Sequence, residues 1–324
     1  MSLLPPLRQR RLALLLPVVA GALLLLGMVL GQRVPATTPV LSVSAPALMA
    51  EPPALSVPVM LAEQAGDDRP ISNALDGLPL DMAAGLEGHD NLYDYARRLR
   101  PAAAAGNAQA GWTLSRIHDY CAQYALDPRG YALDELVLAG NGPDAGALQG
   151  LIRARQQLGQ RCLGFSARDP VGHGGLLLQR RQSAAAGNLA AEAALLAMGQ
   201  PLHDDAQYRR QLVERVIQSQ DPEAFLALSP AMGAVAAGDL ALVDAVAGTQ
   251  FTQLAWQVAA CRLGMACGPD SVLMNSYCAN AGICSRRPDQ DFESFVFDAA
   301  VPPQGVEKMN ELINLLQRPR ARRS

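Results

Sequence analysis

The sequence is poor in aromatic residues, histidine and lysine. Phe, Trp and Tyr make up 5% of the 324 residues, there are four histidines, and Lys308 is the sole lysine. With so few rings, a core must be built from aliphatic side chains and alanine. That favours helices packed through small residues. Runs of β-branched residues with period two are scarce. The fold class expected is therefore all-α. Net charge is −3 and the pI near 5.8, without the basic excess that binding nucleic acid requires.

Signatures of catalysis are missing as well. The chain has no Walker loop, no G-x-G-x-x-G, no H-E-x-x-H and no C-x-x-C-H. Gly172-His173-Gly174-Gly175 resembles the oxyanion loop of some esterases, but the G-x-S-x-G elbow such enzymes need does not occur. His118-Asp119 reads as a surface polar pair. His203-Asp204-Asp205, after Pro201, reads as a helix N-cap rather than a metal site. No catalytic, cofactor-binding or metal-binding residue is assigned, and no cofactor is expected.

One long apolar run is present. Leu12 to Leu30 reads LALLLPVVAGALLLLGMVL, without a charge. As a helix it is ~28 Å long, close to the hydrocarbon thickness of a bilayer. Pro17 lies inside it, which membrane helices tolerate. Arg8, Arg10 and Arg11 precede the run and Arg33 follows it, with no acid among residues 1–50. This asymmetry predicts a cytoplasmic stub, 1–11, a transmembrane anchor, 12–30, and the bulk of the chain on the periplasmic side of a bacterial inner membrane. A cleaved signal peptide is the competing reading. Its nearest small-residue pattern, Val43-Ser44-Ala45, lies well beyond the run and is followed by Pro46.

Residues 31–70 form a proline-rich linker, with Pro35, Pro39, Pro46, Pro52, Pro53, Pro58 and Pro70. Each proline removes a backbone donor and restricts its neighbour, so a semi-extended spacer is expected. The main domain is expected over 71–317, followed by a basic tail, 318–324.

Within that domain a short pattern recurs. Residues 103–114 read AAAGNAQAGWTL and 184–195 read AAAGNLAAEAAL. A third copy is AAGDLALVDAV at 236–246, and a looser one is LAGNGPDAGAL at 138–148. Gly106, Gly187 and Gly238 are placed to end one helix in the left-handed conformation. Asn107, Asn188 and Asp239 are placed to cap the next. Residues 95–121, YARRLRPAAAAGNAQAGWTLSRIHDYC, resemble a Sel1-like repeat, a relative of the tetratricopeptide repeat, and residues 177–199 resemble its first half. The resemblance implies stacked helical hairpins and a role in protein–protein interaction, with no catalytic residue to carry over. The two best copies lie 81 residues apart and Pro101 interrupts the first helix. An irregular, solenoid-like helical domain is therefore expected.

Hydropathy and capping residues predict helices near 90–105, 107–125, 143–160, 174–186, 188–199, 204–219, 221–228, 239–247, 250–264, 270–281 and 303–317. Breaks are expected at 128–130, 140–143, 168–170, 201, 230 and 268–269. Residues 291–297, DFESFVF, read as a short strand or a helical turn.

All six cysteines follow the linker, and 261–284 is a Cys-rich part. An even count in an exported domain predicts three disulfides. Two C-x5-C pairs suggest Cys261–Cys267 and Cys278–Cys284, leaving Cys121–Cys162; a crossed pairing of the last four also fits. A four-thiolate zinc site is disfavoured because five intervening residues exceed the usual two to four. The function expected is a membrane-anchored interaction or scaffold module with an unknown protein partner in the envelope. A divergent envelope hydrolase is the alternative.

Overall fold

The computed structural model describes residues 85–140 and 146–318. The anchor, the linker, the acidic pair Asp67-Asp68 and residues 319–324 of the tail lie outside the described residues. Among the described residues no helix is long and apolar enough to cross a membrane. They form twelve α-helices, joined by turns and 3-10 segments, and no strand. The domain is all-α.

The first four helices are α1 (Leu92–Ala104), α2 (Ala108–Leu126), α3 (Pro128–Gly140) and α4 (Gly146–Arg161). Next come α5 (His173–Ala185), α6 (Leu189–Ala197), α7 (Ala206–Ser219) and α8 (Pro222–Leu228). The last four are α9 (Gln250–Arg262), α10 (Val272–Ala281), α11 (Phe292–Ala300) and α12 (Val306–Gln317).

Two hairpins form at the repeated motif. In each, glycine is left-handed, with φ of 86° at Gly106 and 98° at Gly187. Asn107 and Asn188 return their backbone N–H to carbonyls five residues back, Ala102 and Ser183, which satisfies the end of the first helix. Their side chains then accept from Ala110 N (2.9 Å) and Ala191 N (2.8 Å), which satisfies the start of the second. The copies are distant in sequence but adjacent in space. Helix α2 packs on α5. Asn188 Nδ2 donates to Gln109 Oε1 at 3.0 Å, and Ser183 Oγ to the Ala108 carbonyl at 2.6 Å. The intervening chain, α3 and α4, is an excursion returned to α2 by Cys121–Cys162.

A further junction has the same logic without glycine. Gln220 ends α7 at φ 51°, and Asp221 caps α8 by accepting from Glu223 N. The Gln220 side-chain amide donates to the Ile217 carbonyl, which helps hold this turn in a conformation costly for a non-glycine residue. Three residues after each cap stands a buried alanine: Ala110, Ala191 and Ala224. Seven after it stands a buried leucine: Leu114, Leu195 and Leu228. The small side chain permits close helix approach and the large one fills the core.

Several sequence expectations are corrected. Residues 239–247 form turns, not a helix. Backbone amides there close single turns, Leu242 N donating to the Asp239 carbonyl and Ala245 N to the Leu242 carbonyl, and Trp256 Nε1 donates to the Val246 carbonyl at 2.7 Å. The expected break at 128–130 is the start of α3, because Pro128 suits a helix's first position and Asp127 accepts from Gly130 N. Pro101 does not interrupt α1; both Pro101 and Arg97, whose carbonyl it frees, are exposed to water. The break at Pro230 is a 3-10 turn, Ser229–Met232. DFESFVF is helix α11, capped by Asp291 accepting from Ser294 N.

The cysteines stand in three pairs at disulfide distance, Cys121–Cys162, Cys261–Cys267 and Cys278–Cys284, with Cα separations of 5.5, 5.6 and 4.3 Å. Two apolar clusters form the core. One joins α1 to α4 with residues of α10, and the other runs from Trp112 through α5 to α12. Asn275 of α10 ties the first together. It accepts from Tyr120 Oη at 2.9 Å and donates to the Ala154 carbonyl and to Gln157 Oε1.

Candidate functional site

Helix α2 presents Trp112, Arg116 and Asp119 along one face, at the three- and four-residue spacing that aligns helical side chains. This face borders two cavities of about 250 and 310 Å³ that share Arg116, Asp119 and Leu226 and so lie side by side along it, together making up the groove. Helix α8 supplies Glu223 and Leu226. Helix α10 supplies Leu273, Ser276 and Asn280 at one end. Arg180 of α5 and Met198, just past α6, line the other. Met265 and Ala266, inside the Cys261–Cys267 loop, form part of the wall. That loop is fixed by its disulfide and by Phe292 N donating to the Cys267 carbonyl at 2.8 Å.

The charges in the groove are ordered in pairs. Glu223 accepts from Arg116 Nη1 and from Trp112 Nε1, so one carboxylate fixes both the cation and the indole. Arg180 pairs with Asp119 at 2.5 Å, and its guanidinium carbon lies 5.9 Å from the Trp112 ring centre. At the α10 end Glu87 accepts from Val272 N at 2.9 Å. Desolvation raises the Glu87 carboxyl above its ordinary value, opposed by that N–H and by Arg161. Arg161 also holds the chain before α1 in place by donating to the Leu86 and His89 carbonyls. Burial pushes the Tyr120 phenol up to about 12. The Asn280 side-chain oxygen is buried on this wall without a hydrogen-bond partner among the described residues.

No protein-family model, no curated protein and no solved structure matches the chain.

The structure distributes the residues singled out from sequence. Gly106, Asn107, Gly187 and Asn188 form the hairpin turns that set α2 and α5 beside each other, outside the groove. Gly238, at φ 81°, and Asp239, accepting from Ala241 N at 2.8 Å, form a turn with no helix after it. Of the residues singled out, Asp119, Pro230 and the Cys261–Cys267 loop contribute to the groove wall. Among the described residues there is no group of three or more His, Cys, Asp or Glu able to hold a metal ion.

The histidines lie elsewhere. His118 is not a surface residue: it is 1% exposed, with Nδ1 against Gln179 Oε1 at 2.8 Å and its ring edge-on to Phe165. Burial holds its pKa below the ordinary value. Asp119, its neighbour, does reach the surface, as the partner of Arg180. His173 opens α5 and His203 precedes α7, both exposed, and neither lines the groove. Asp205 caps α7 through Tyr208 N at 2.7 Å. Sequence reading missed Arg116, Arg180 and Glu223. Their one available signal was Arg116-x-x-Asp119, the sole arginine and the sole acid of α2.

Proposed function

We propose that this chain is a membrane-anchored periplasmic interaction or scaffold module of the bacterial cell envelope, with residues 12–30 as anchor and 31–70 as tether. The helical hairpins are the interaction domain, in keeping with the resemblance of residues 95–121 to Sel1-like repeats. The groove between α2, α8 and α10 carries this reading. It has apolar walls and paired charges, a composition suited to an extended peptide segment of another protein. Exposed aliphatic side chains on α3 offer a second contact area. Leu133, Leu136 and Val137 are 61, 70 and 65% exposed, more than solvation alone favours.

Crosslinking in intact cells followed by purification under non-reducing conditions tests the proposal. A stoichiometric envelope protein is expected with the unmodified chain and is expected to be lost with Leu226→Glu. Recovery unchanged by that substitution moves the contact away from the groove, and recovery of nothing in stoichiometric amount refutes the scaffold reading. Reporter fusions after residue 70 are expected to be active outside the cytoplasm; activity inside it overturns the topology.

A further inference from the structure

The two arginines of the groove differ in how their acidic partners are held. Arg116 faces Glu223, which is 24% exposed and is also held by Trp112. That pair is closed. Arg180 is 8% exposed, yet its ionic partner Asp119 has a side chain that is 53% exposed. Its Nη1 meets only the thioether of Met198 at 3.2 Å, a weak acceptor, and its Nε has no partner among the described residues. A guanidinium has five donors and is costly to bury with so few of them used. The groove wall beside it is aliphatic, with Ala194, Ala197, Leu226 and Ala227.

We propose that the Arg180 end of the groove binds a carboxylate borne by an aliphatic peptide segment of the partner protein. Asp119 is the placeholder: it satisfies Arg180 in the free protein and turns outward when the ligand carboxylate takes its place. A single negative charge is specified. Phosphate recognition calls for several cations, whereas Arg116 is committed to Glu223 and the acids Asp119 and Glu223 oppose a dianion. This inference rests on the groove being the interaction site, and its test separates the two ideas.

The full-length protein, purified in detergent with its disulfides intact, is offered three octapeptide libraries. Each is built from Leu, Val and Ala with one Glu, one Gln or one Lys, and each is made with free and with amidated C-termini. Binding of the Glu library about tenfold above the Gln library is expected, falling as salt rises. If the preference persists in amidated peptides, the carboxylate is a side chain; if instead every library binds with a free C-terminus and none when amidated, it is a chain end. Arg180→Met is expected to abolish the preference, with unfolding temperature monitored alongside. Asp119→Asn is the second variant and removes the competitor, so affinity for Glu peptides is expected to rise several-fold. A merely structural role for the pair predicts a fall instead. Equal retention of Glu and Gln peptides, unchanged by amidation of the C-terminus and lost with Leu226→Glu, refutes the carboxylate site and leaves the groove standing. A preference for Lys does the same. Retention of no library overturns both.

Discussion

Residues 185–195 and 236–246 begin almost alike, Ala-Ala-Gly-Asn and Ala-Ala-Gly-Asp, and fold differently. Both glycines are left-handed, at φ 98° and 81°, and both following residues cap a backbone amide. After Asn188 comes the nine-residue helix α6; after Asp239 come turns. Two differences account for this. A thirteen-residue helix, α5, precedes Gly187, whereas a three-residue 3-10 turn lies just before Gly238. Three residues past the cap stands Ala191 in one copy and Leu242 in the other, and both are buried. A glycine and a cap mark where a helix stops and starts, but a short helix is marginal alone and needs a partner it can approach closely.

The largest effect expected from this comparison comes from enlarging the small position. Ala191→Leu places the larger residue at the interface of α6 with α8 and is expected to cost about 2–3 kcal/mol, read from urea unfolding. A cost near zero would show that close approach is not what distinguishes the copies. Next is Trp256→Phe, which leaves the Val246 carbonyl without its donor and thins the core, for about 2 kcal/mol. Amide exchange across 236–248 is expected to quicken while α6 keeps its protection. Equal quickening in both would mean that the two copies open together. Below these come the caps. Asn188→Ala is expected to cost about 1 kcal/mol. Asp239→Ala is expected to cost a few tenths, because no helix follows it.

The legible and illegible parts of the fold divide along the same line. The all-α class and the hairpins at Gly106-Asn107 and Gly187-Asn188 depend on local chemistry, which spacing exposes. The helix expected over 239–247 failed because glycine and cap were read without what leads into them, a three-residue 3-10 turn rather than a long helix. Pro128 and Pro101 were read as breaks from a general rule, but position decides: one starts a helix and the other faces water. The groove was illegible because it is assembled from α2, α5, α8 and α10, with partners such as Trp112 and Glu223 lying 111 residues apart. No local pattern announces contacts at that range. The 81-residue gap between the best copies concealed that they touch.

The last effect concerns the seam where the two hairpins meet. His118 of α2 is buried there against Gln179 of α5, with Arg100 and Asp169 as the charges acting on it. Desolvation, the largest cause, lowers its pKa, and Arg100 adds to this; Gln179 and Asp169 oppose it. In the unfolded chain a histidine titrates near 6.5. Above that pH the imidazole is neutral in both states and contributes no pH dependence. As the pH falls below it, the unfolded chain takes up a proton that the folded protein refuses, so stability is lost on acidification. Between pH 7 and 6 the loss from this one group is expected to stay under about 1 kcal/mol. His118→Gln, which keeps a polar group facing Gln179, is expected to flatten the dependence. The change should appear as faster amide exchange in α2 and α5 at the lower pH, with the 236–248 turns unaffected because no histidine lies among them. A slope that survives His118→Gln would assign the acid sensitivity to another group and leave the seam between the hairpins indifferent to pH.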